Sequence, residues 1–569
     1  MRQTTSSEMT AGAVLLGRLK TVGVDYIFAN SGTDFPPIIE GLAEAMAKDV
    51  PLPQAVVIPH ENAAMGMAHG YFLATGRAQC VMAHTNVGLA NCAIGAINAA
   101  TEHVPVLLMS GRTPVLESGR LGARTVPIGW GQEMRDQAAL VREATKWDYE
   151  LKFAEQAAEV VDRAHAVANS TPKGPVYVSL PREVLCGTCA APDPDAGGSS
   201  IAPAHTAPHP QAVAEAAALL AKAESPLIIV QRGAGTTEAF GALADLADRW
   251  GIAVSQYWAI QLGVATDHPM AAGSDPGQLL AEADVIAVID CLAPWSPEIH
   301  ALKPGAKVIH LGPDPLYARF PVRNFRVDLA LTGETGDAML ALAAALDAHA
   351  LPDRAPERRE RIAAANAATR DKVRAAALAG RDGLMTKAYV SHCLSEAIAD
   401  HDATVLSELG CPLDPLELRT PGSWFQEPHS GGLGWAFPAG LGMQLANRDR
   451  LIVATMGDGS YMFANPVACH QIAEALGLPL LVLVLNNREW GAVRQSVLGV
   501  YPDGYAAKAN TMPLTSLEPT PDFTKVAEAS RAWTARVDEG DALPGVLTEA
   551  IRQVRENKRH ALVEIRIRP

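Results

Sequence analysis

MGDGSYMFANPVACHQIAEALGLPLLVLVLNN, Met456 to Asn487, sets a carboxylate between two glycines at one end and paired asparagines at the other. The stretch reads as a loop, a helix and a buried strand, since an Ala-rich helical segment precedes the apolar run LPLLVLVL. Just upstream, LIVATMGDGS is an apolar strand breaking into a turn at its C-terminal end. That edge is where open α/β sheets bind ligands. Two strands joined by a helix bring Asp458 and Asn487 toward one sheet edge. Gly457 and Gly459 permit close backbone approach, and the Gly459 and Ser460 amides can face a phosphate. The Asp458 carboxylate, the Asn487 amide oxygen and the backbone carbonyl of Glu489 suit a magnesium ion held against a diphosphate. Magnesium takes few protein oxygens and keeps phosphate ligands.

The same strand-and-helix rhythm runs through the chain. QAVVIP, AQCVMAH, VPVLLMSG, GPVYVSLP, SPLIIVQ, DVIAVID, AKVIHLG and ATVLSEL are apolar runs separated by Ala-rich helical segments. Buried strands alternating with helices predict α/β domains of doubly wound parallel-sheet type. At 569 residues the chain is too long for one core. Two breaks divide it. CGTCAAPDPDAGGSSIAPAHTAPHP (Cys186 to Pro210) has linker composition, and ALPDRAPERRERIAAANAATRDKVRAAALAG reads as a charged, solvated helical connector. The expected domains are 1–190, 200–345 and 370–569.

A net charge of −15 argues against general binding to nucleic acid or anionic membranes. No run reaches the length of a membrane span, and the N-terminal stretch lacks the apolar region and cleavage site of a secretory signal. The cysteines are scattered, and Cys186 and Cys189 form a lone CxxC without a second half-site, which points to a reducing, cytoplasmic setting.

GDG followed about thirty residues later by NN resembles the signature of thiamine-diphosphate-dependent enzymes. SGGLGWAFPAGLGMQLA (Ser430 to Ala446) resembles the cofactor-cradling segment of benzoylformate decarboxylase, pyruvate decarboxylase and acetolactate synthase. The likeness implies a pyrimidine-binding, a central and a diphosphate-binding domain. It implies that Leu433 props the cofactor into a V shape and that the Gly431 carbonyl accepts a hydrogen bond from the pyrimidine amine. In LSELGC it places Gly410 and Cys411 beside the diphosphate. The interval from GDG to NN is two residues longer than in typical members.

Such a cofactor requires a protein carboxyl group hydrogen-bonded to N1′ of its pyrimidine, in an apolar setting that raises its proton affinity. HENAAMGMAHGY matches the family's pattern and offers Glu61, which follows the strand QAVVIP and opens a helix rich in small residues. AHTNVGLANCAIGAINAA resembles the benzoylformate decarboxylase loop in which a histidine works in proton transfer, which points to His84. IGWGQEMRDQ, with Gln132, resembles the FQE segment of acetolactate synthases. In NSGTDFPP, Thr33 falls where the decarboxylase has a substrate-contacting serine, and beyond Asn487 the residues Trp490 and Arg494 are further substrate candidates.

The resemblance implies a lyase: thiamine-diphosphate- and magnesium-dependent decarboxylation of a 2-oxo acid, with carboligation onto a second carbonyl as a side activity. A transferase of acetolactate-synthase type, or a 2-hydroxyacyl-CoA lyase, is the alternative. It also implies a homodimer or homotetramer with active sites at the subunit interface. In some relatives the central domain carries FAD or an adenine nucleotide; here Gly233 and Gly235 form only a weak G-x-G, which does not support FAD.

Overall fold

The computed structural model describes residues 8–191 and 199–568. Three parallel sheets account for the apolar runs. The first has the order Gln54–Val57, Tyr26–Ala29, Gln79–Ala83, Val106–Arg112, Val176–Pro181 and Asp148–Glu150. The second has the order Ala253–Ser255, Pro226–Val230, Val285–Ile289, Lys307–Gly312 and Leu329–Thr332. The third has the order Trp424–Gln426, Ala403–Glu408, Leu451–Gly457, Leu481–Asn486, Ala561–Arg566 and Trp533–Val537. Every pairing within these sheets is parallel. Parallel strands need crossover helices, which cover both faces, so strands such as Leu481–Asn486 are buried along their whole length. The fold is therefore α/β with three doubly wound domains.

The chain forms two compact units, 1–204 with 428–448, and 205–427 with 449–569. In the first unit the helices Glu61–Thr75 and Ala436–Ala446 pack closely. A Cβ added at Gly70 would lie 1.9 Å from the Ala439 carbonyl oxygen, so the small residues of both segments set the helix spacing. The cradling segment is thus built into the body that carries Glu61.

Two expected linkers are structured. Within the CGTC stretch, Thr188–Ala190 pairs antiparallel with Glu8–Thr10, and Cys189 is buried, so its first residues complete the N-terminal domain; residues 192–198 lie outside the described part. The second is a helix, Ala355–Leu378, solvated over most of its surface and anchored along one face. Arg358 is buried and donates to the carbonyls of Gly251, Ala223, Glu224 and Trp250. Five N–H donors on one planar group let a charged residue seal the C-terminal ends of two helices, Pro210–Lys222 and Thr237–Trp250, at once.

Candidate functional site

In the first unit, strand Gln54–Val57 ends at a turn, His60 caps the next helix by accepting from the Asn62 N–H, and Glu61 occupies the first helical position. Glu61 is 5 % exposed. Its two oxygens accept from the Asn30 and Asn91 side-chain amides, each at 2.9 Å. Gly88 faces it, and a Cβ there would approach Oε1 to 2.9 Å. Both donors are neutral amides that bring no counter-charge to Glu61. Neither asparagine was singled out in the sequence, since both lie thirty or so residues away in other elements.

His84 ends strand Gln79–Ala83. Its Nδ1 bonds Asp34, and its Nε2 lies 3.0 Å from the Gln132 side-chain nitrogen. Asp34 also accepts from the Thr85 N–H at 3.2 Å. The bond to Asp34 raises the proton affinity of His84, with burial opposing and the charges of Asp34 and Glu61 adding to the rise. An Nδ1–H donated to Asp34 leaves Nε2 as an acceptor for the Gln132 amide; the flipped amide would instead present its oxygen to a protonated ring. The chain Asp34–His84–Gln132 can therefore hold or release one proton at Nε2. Asp34 escaped the sequence reading, which picked its neighbour Thr33. Thr33 is exposed, and its carbonyl accepts from Arg182.

The cradle residues also lie in this unit. Gly431 has φ +66° with open space where a Cβ would stand, and Leu433 is half-buried. Asn98 clamps this turn, donating to the Gly432 carbonyl at 2.8 Å and accepting from the Ser430 hydroxyl at 2.6 Å.

In the second unit the two ends of the opening stretch meet. Strands Leu451–Gly457 and Leu481–Asn486 pair directly, and the Asp458 carboxylate accepts from the Gly459 N–H at 3.0 Å and the Arg488 N–H at 2.8 Å. Arg488 turns the chain with φ +63°. Asn487 accepts from the Glu489 N–H at 3.2 Å, and the Glu489 carbonyl accepts from the Gly491 N–H. Burial pushes the Asp458 carboxyl up to about 6. The desolvated Asp458 carboxylate, the Asn487 amide oxygen and the Glu489 carbonyl are oxygen donors at one strand edge, the chemistry a hard cation takes. Among the described residues no cluster of three His, Cys, Asp or Glu side chains could cage a metal. The residues therefore fit an ion that completes its shell from outside the protein, as magnesium does on a diphosphate.

Gly410 and Cys411 follow strand Ala403–Glu408. A Cβ at Gly410 would lie 2.4 Å from the Thr455 backbone, and the Cys411 N–H donates to the Thr455 hydroxyl at 3.1 Å. Leu409 before them has φ +54° and is pinned from both sides. Its carbonyl accepts from Lys387 at 2.5 Å and its N–H donates to Glu427 at 3.3 Å. Burial and the charge of Glu408 push Glu427 up to about 7, while burial lowers Lys387. Ser460 is buried beside Asp458. The Trp490 ring covers Gly459, where a Cβ would come within 2.3 Å of it. Arg494 faces Glu489 at 3.7 Å and bonds Asn510.

In the central domain, the ends of Pro226–Val230 and Val285–Ile289 mark the point where strand order reverses. Tyr317, 1 % exposed, fills that crevice. Its hydroxyl donates to Asp290 at 2.9 Å and accepts from Arg232, and the Arg323 guanidinium lies 4.8 Å from its ring centroid.

Models of the N-terminal, central and C-terminal domains of thiamine pyrophosphate enzymes match residues 9–140, 213–342 and 412–565. A Pseudomonas aeruginosa protein named a probable 2-ketoarginine decarboxylase is 29 % identical over 538 residues, 92 % of this chain and 88 % of that protein. An acetolactate synthase of Mycobacterium bovis is 26 % identical over 557 residues, 95 % of this chain and 86 % of that protein. The thiamine diphosphate-dependent 4-hydroxybenzoylformate decarboxylase of Rhodococcus jostii RHA1 shares the fold, with a TM-score of 0.78, 22 % identity, and coverage of 98 % of this chain and 99 % of that one. Three domain models in order along one chain, over a fold of three doubly wound domains, make this protein a member of the thiamine-diphosphate-dependent enzymes, of decarboxylase or acetolactate-synthase-like kind.

Proposed function

We propose that this enzyme decarboxylates a 2-oxo acid with thiamine diphosphate and magnesium, and joins the product carbon to a second carbonyl only as a side reaction. Bound thiamine diphosphate supplies the carbon nucleophile and the electron sink. Glu61 holds a proton at the cofactor's pyrimidine nitrogen, buried so that the proton is shared rather than lost to water. Gly431 and Leu433 orient the cofactor, and Gly410, Cys411, Gly457, Gly459 and Ser460 line the diphosphate. Asp458, Asn487 and the Glu489 carbonyl hold the magnesium.

The observation that carries the decarboxylase reading is the Asp34–His84–Gln132 chain. A decarboxylase must return a proton to carbon once carbon dioxide has left, and an imidazole of raised proton affinity is a donor for that step. Arg494 has a carboxylate partner in Glu489 already, so Trp490 is the better candidate for shaping the substrate pocket, with Thr33 at its rim. The exposed apolar side chains Val115, Leu121 and Trp130 support assembly as a homodimer or homotetramer. Eight free thiols suit the reducing cytoplasm.

The rival reading is a transferase of acetolactate-synthase type, favoured by the M. bovis relative. Incubation with pyruvate and with benzoylformate, with product identification, separates the two. Aldehyde and carbon dioxide are expected. Acetolactate as the dominant product would replace the lyase by the transferase.

A further inference from the structure

The second unit contains a cavity of about 430 Å³ whose lining includes none of the residues assigned to the thiamine diphosphate site. Its walls are the segment 271–282 of the central domain, the anchored helix Ala355–Leu378, and Leu413–Asp414. A recess of about 220 Å³ shares Thr266, Arg370 and Asp414 with it and extends it along the helix. The size is that of a small-metabolite pocket.

Its polar groups are unevenly spent. Gln256, 3 % exposed, uses its carbonyl oxygen to accept from the Gly263 and Val264 N–H groups. Its side-chain nitrogen has no partner among the described residues, though the residue lines the cavity. Asn366, 9 % exposed, donates to the Pro269 carbonyl at 2.9 Å and leaves its oxygen without a partner. Arg361 has no hydrogen-bond or ion-pair partner among the described residues, and Arg370 reaches only the His268 carbonyl at 3.4 Å. The carboxylates of the wall are engaged, Asp275 by His300 and the Gly277 N–H, Glu282 by the Gln278 amide, and Asp414 by Ser274. Two guanidinium groups and one amide nitrogen are therefore open donors in the cavity wall. An amide oxygen and the second oxygen of Asp414 stand open as acceptors.

We infer that this cavity binds a small organic carboxylate carrying a hydrogen-bond donor, hydroxyl or ammonium, a few atoms from its carboxyl group. The carboxylate lies on Arg361 and Arg370 and the Gln256 amide, in the geometry that planar guanidinium groups favour. The donor end meets Asn366 and Asp414. The inference is independent of how the thiamine site is read, because none of these residues belongs to that site.

The test uses the full chain loaded with thiamine diphosphate and magnesium, with gluconate as the hydroxy-acid probe and L-glutamine as the amino-acid probe. Titration calorimetry is expected to show one of them binding, with deuterium-exchange protection confined to residues 271–282 and 361–374. Arg361→Glu, an exposed residue whose loss breaks no contact, is expected to weaken that binding at least tenfold, and Arg370→Glu to do likewise. Protection by gluconate identifies a hydroxy acid and protection by L-glutamine an amino acid. No binding by either probe, or binding that both variants leave unchanged, overturns the proposal.

Discussion

Asp34 reaches His84 through a carboxylate packed directly against Gly111, where an added Cβ would come within 1.5 Å of its Oδ2. Glycine on one strand thus makes room for the acid that sets the charge of a histidine on the next. Asp34→Asn removes the main cause of the raised proton affinity of His84. If His84 works as an acid, the alkaline limb of the kcat/KM profile moves to lower pH in that variant. A profile that stays in place would show that the pair is structural only.

Glu61→Gln keeps the size of the side chain and loses the shared proton. Its C2 proton exchange on bound thiamine diphosphate, followed by NMR, is expected to slow by about 10²–10⁴-fold, the usual worth of a positioned acid–base group. Cofactor affinity is expected to hold. Wild-type exchange in this variant would remove Glu61 from the mechanism.

Lys387 and Glu427 fix the left-handed Leu409 that leads into Gly410 and Cys411. A charged hydrogen bond contributes about 1.5–3 kcal/mol. Lys387→Met is therefore expected to weaken thiamine diphosphate binding roughly tenfold or more at fixed magnesium. Lys387→Arg should restore part of it, and circular dichroism should show the fold kept. Unchanged affinity in the Met variant would mean that Leu409 holds its conformation unaided.

Tyr317 occupies the crevice in which a flavin would sit in a doubly wound domain, bonded on all sides. The purified enzyme is expected to be colourless, and Tyr317→Ala to lose about 3–5 kcal/mol of stability, as for large aromatic truncations. A yellow preparation with absorbance near that of flavin would refute this reading of the crevice.

Burial lowers the proton affinity of His69 and His560 to about 4, of His310 to about 3, and of His470 in the same direction. Below the ordinary histidine value of about 6.5 the unfolded chain binds these protons and the folded one does not, so stability falls as pH drops toward 4. Glu427 and Asp458, whose affinities are raised, work in the opposite sense over part of that range. His165 and His268 are lowered by burial as well, and His84 is raised beside Asp34, so six groups against three give a net loss. The melting temperature should decline steadily from pH 7 to 4.5, and a flat curve would contradict the burial of these imidazoles.

The architecture was legible because its signals are local. Runs such as LIVATMG and LPLLVLVL are buried on both faces and read as parallel strands wherever they occur, and GDGS and HENAA mark the strand ends by their turn and helix-start chemistry. Asp458, Asn487, Glu61 and His84 each stand where a strand stops or just beyond it; the first two were chosen for that position, and Glu61 and His84 also for the motifs around them. Their partners were not legible. Asn30 and Asn91 meet Glu61, and Asp34 meets His84, across 31, 30 and 50 residues respectively. Such distances are closed by strand order, which no local pattern records. Within NSGTDFPP the backbone follows no period, so nothing in the string distinguishes Thr33, which faces solvent, from Asp34, which turns inward. The same holds for Arg358, whose helix looks solvated because its charge is visible in sequence while the four carbonyls that satisfy it are not. The sequence by itself determined the sheets and the residues at their edges, through short-range hydrophobic and turn chemistry. Only the tertiary structure decided which groups hold those residues, because hydrogen bonds form between atoms that packing, rather than chain proximity, brings within 3 Å.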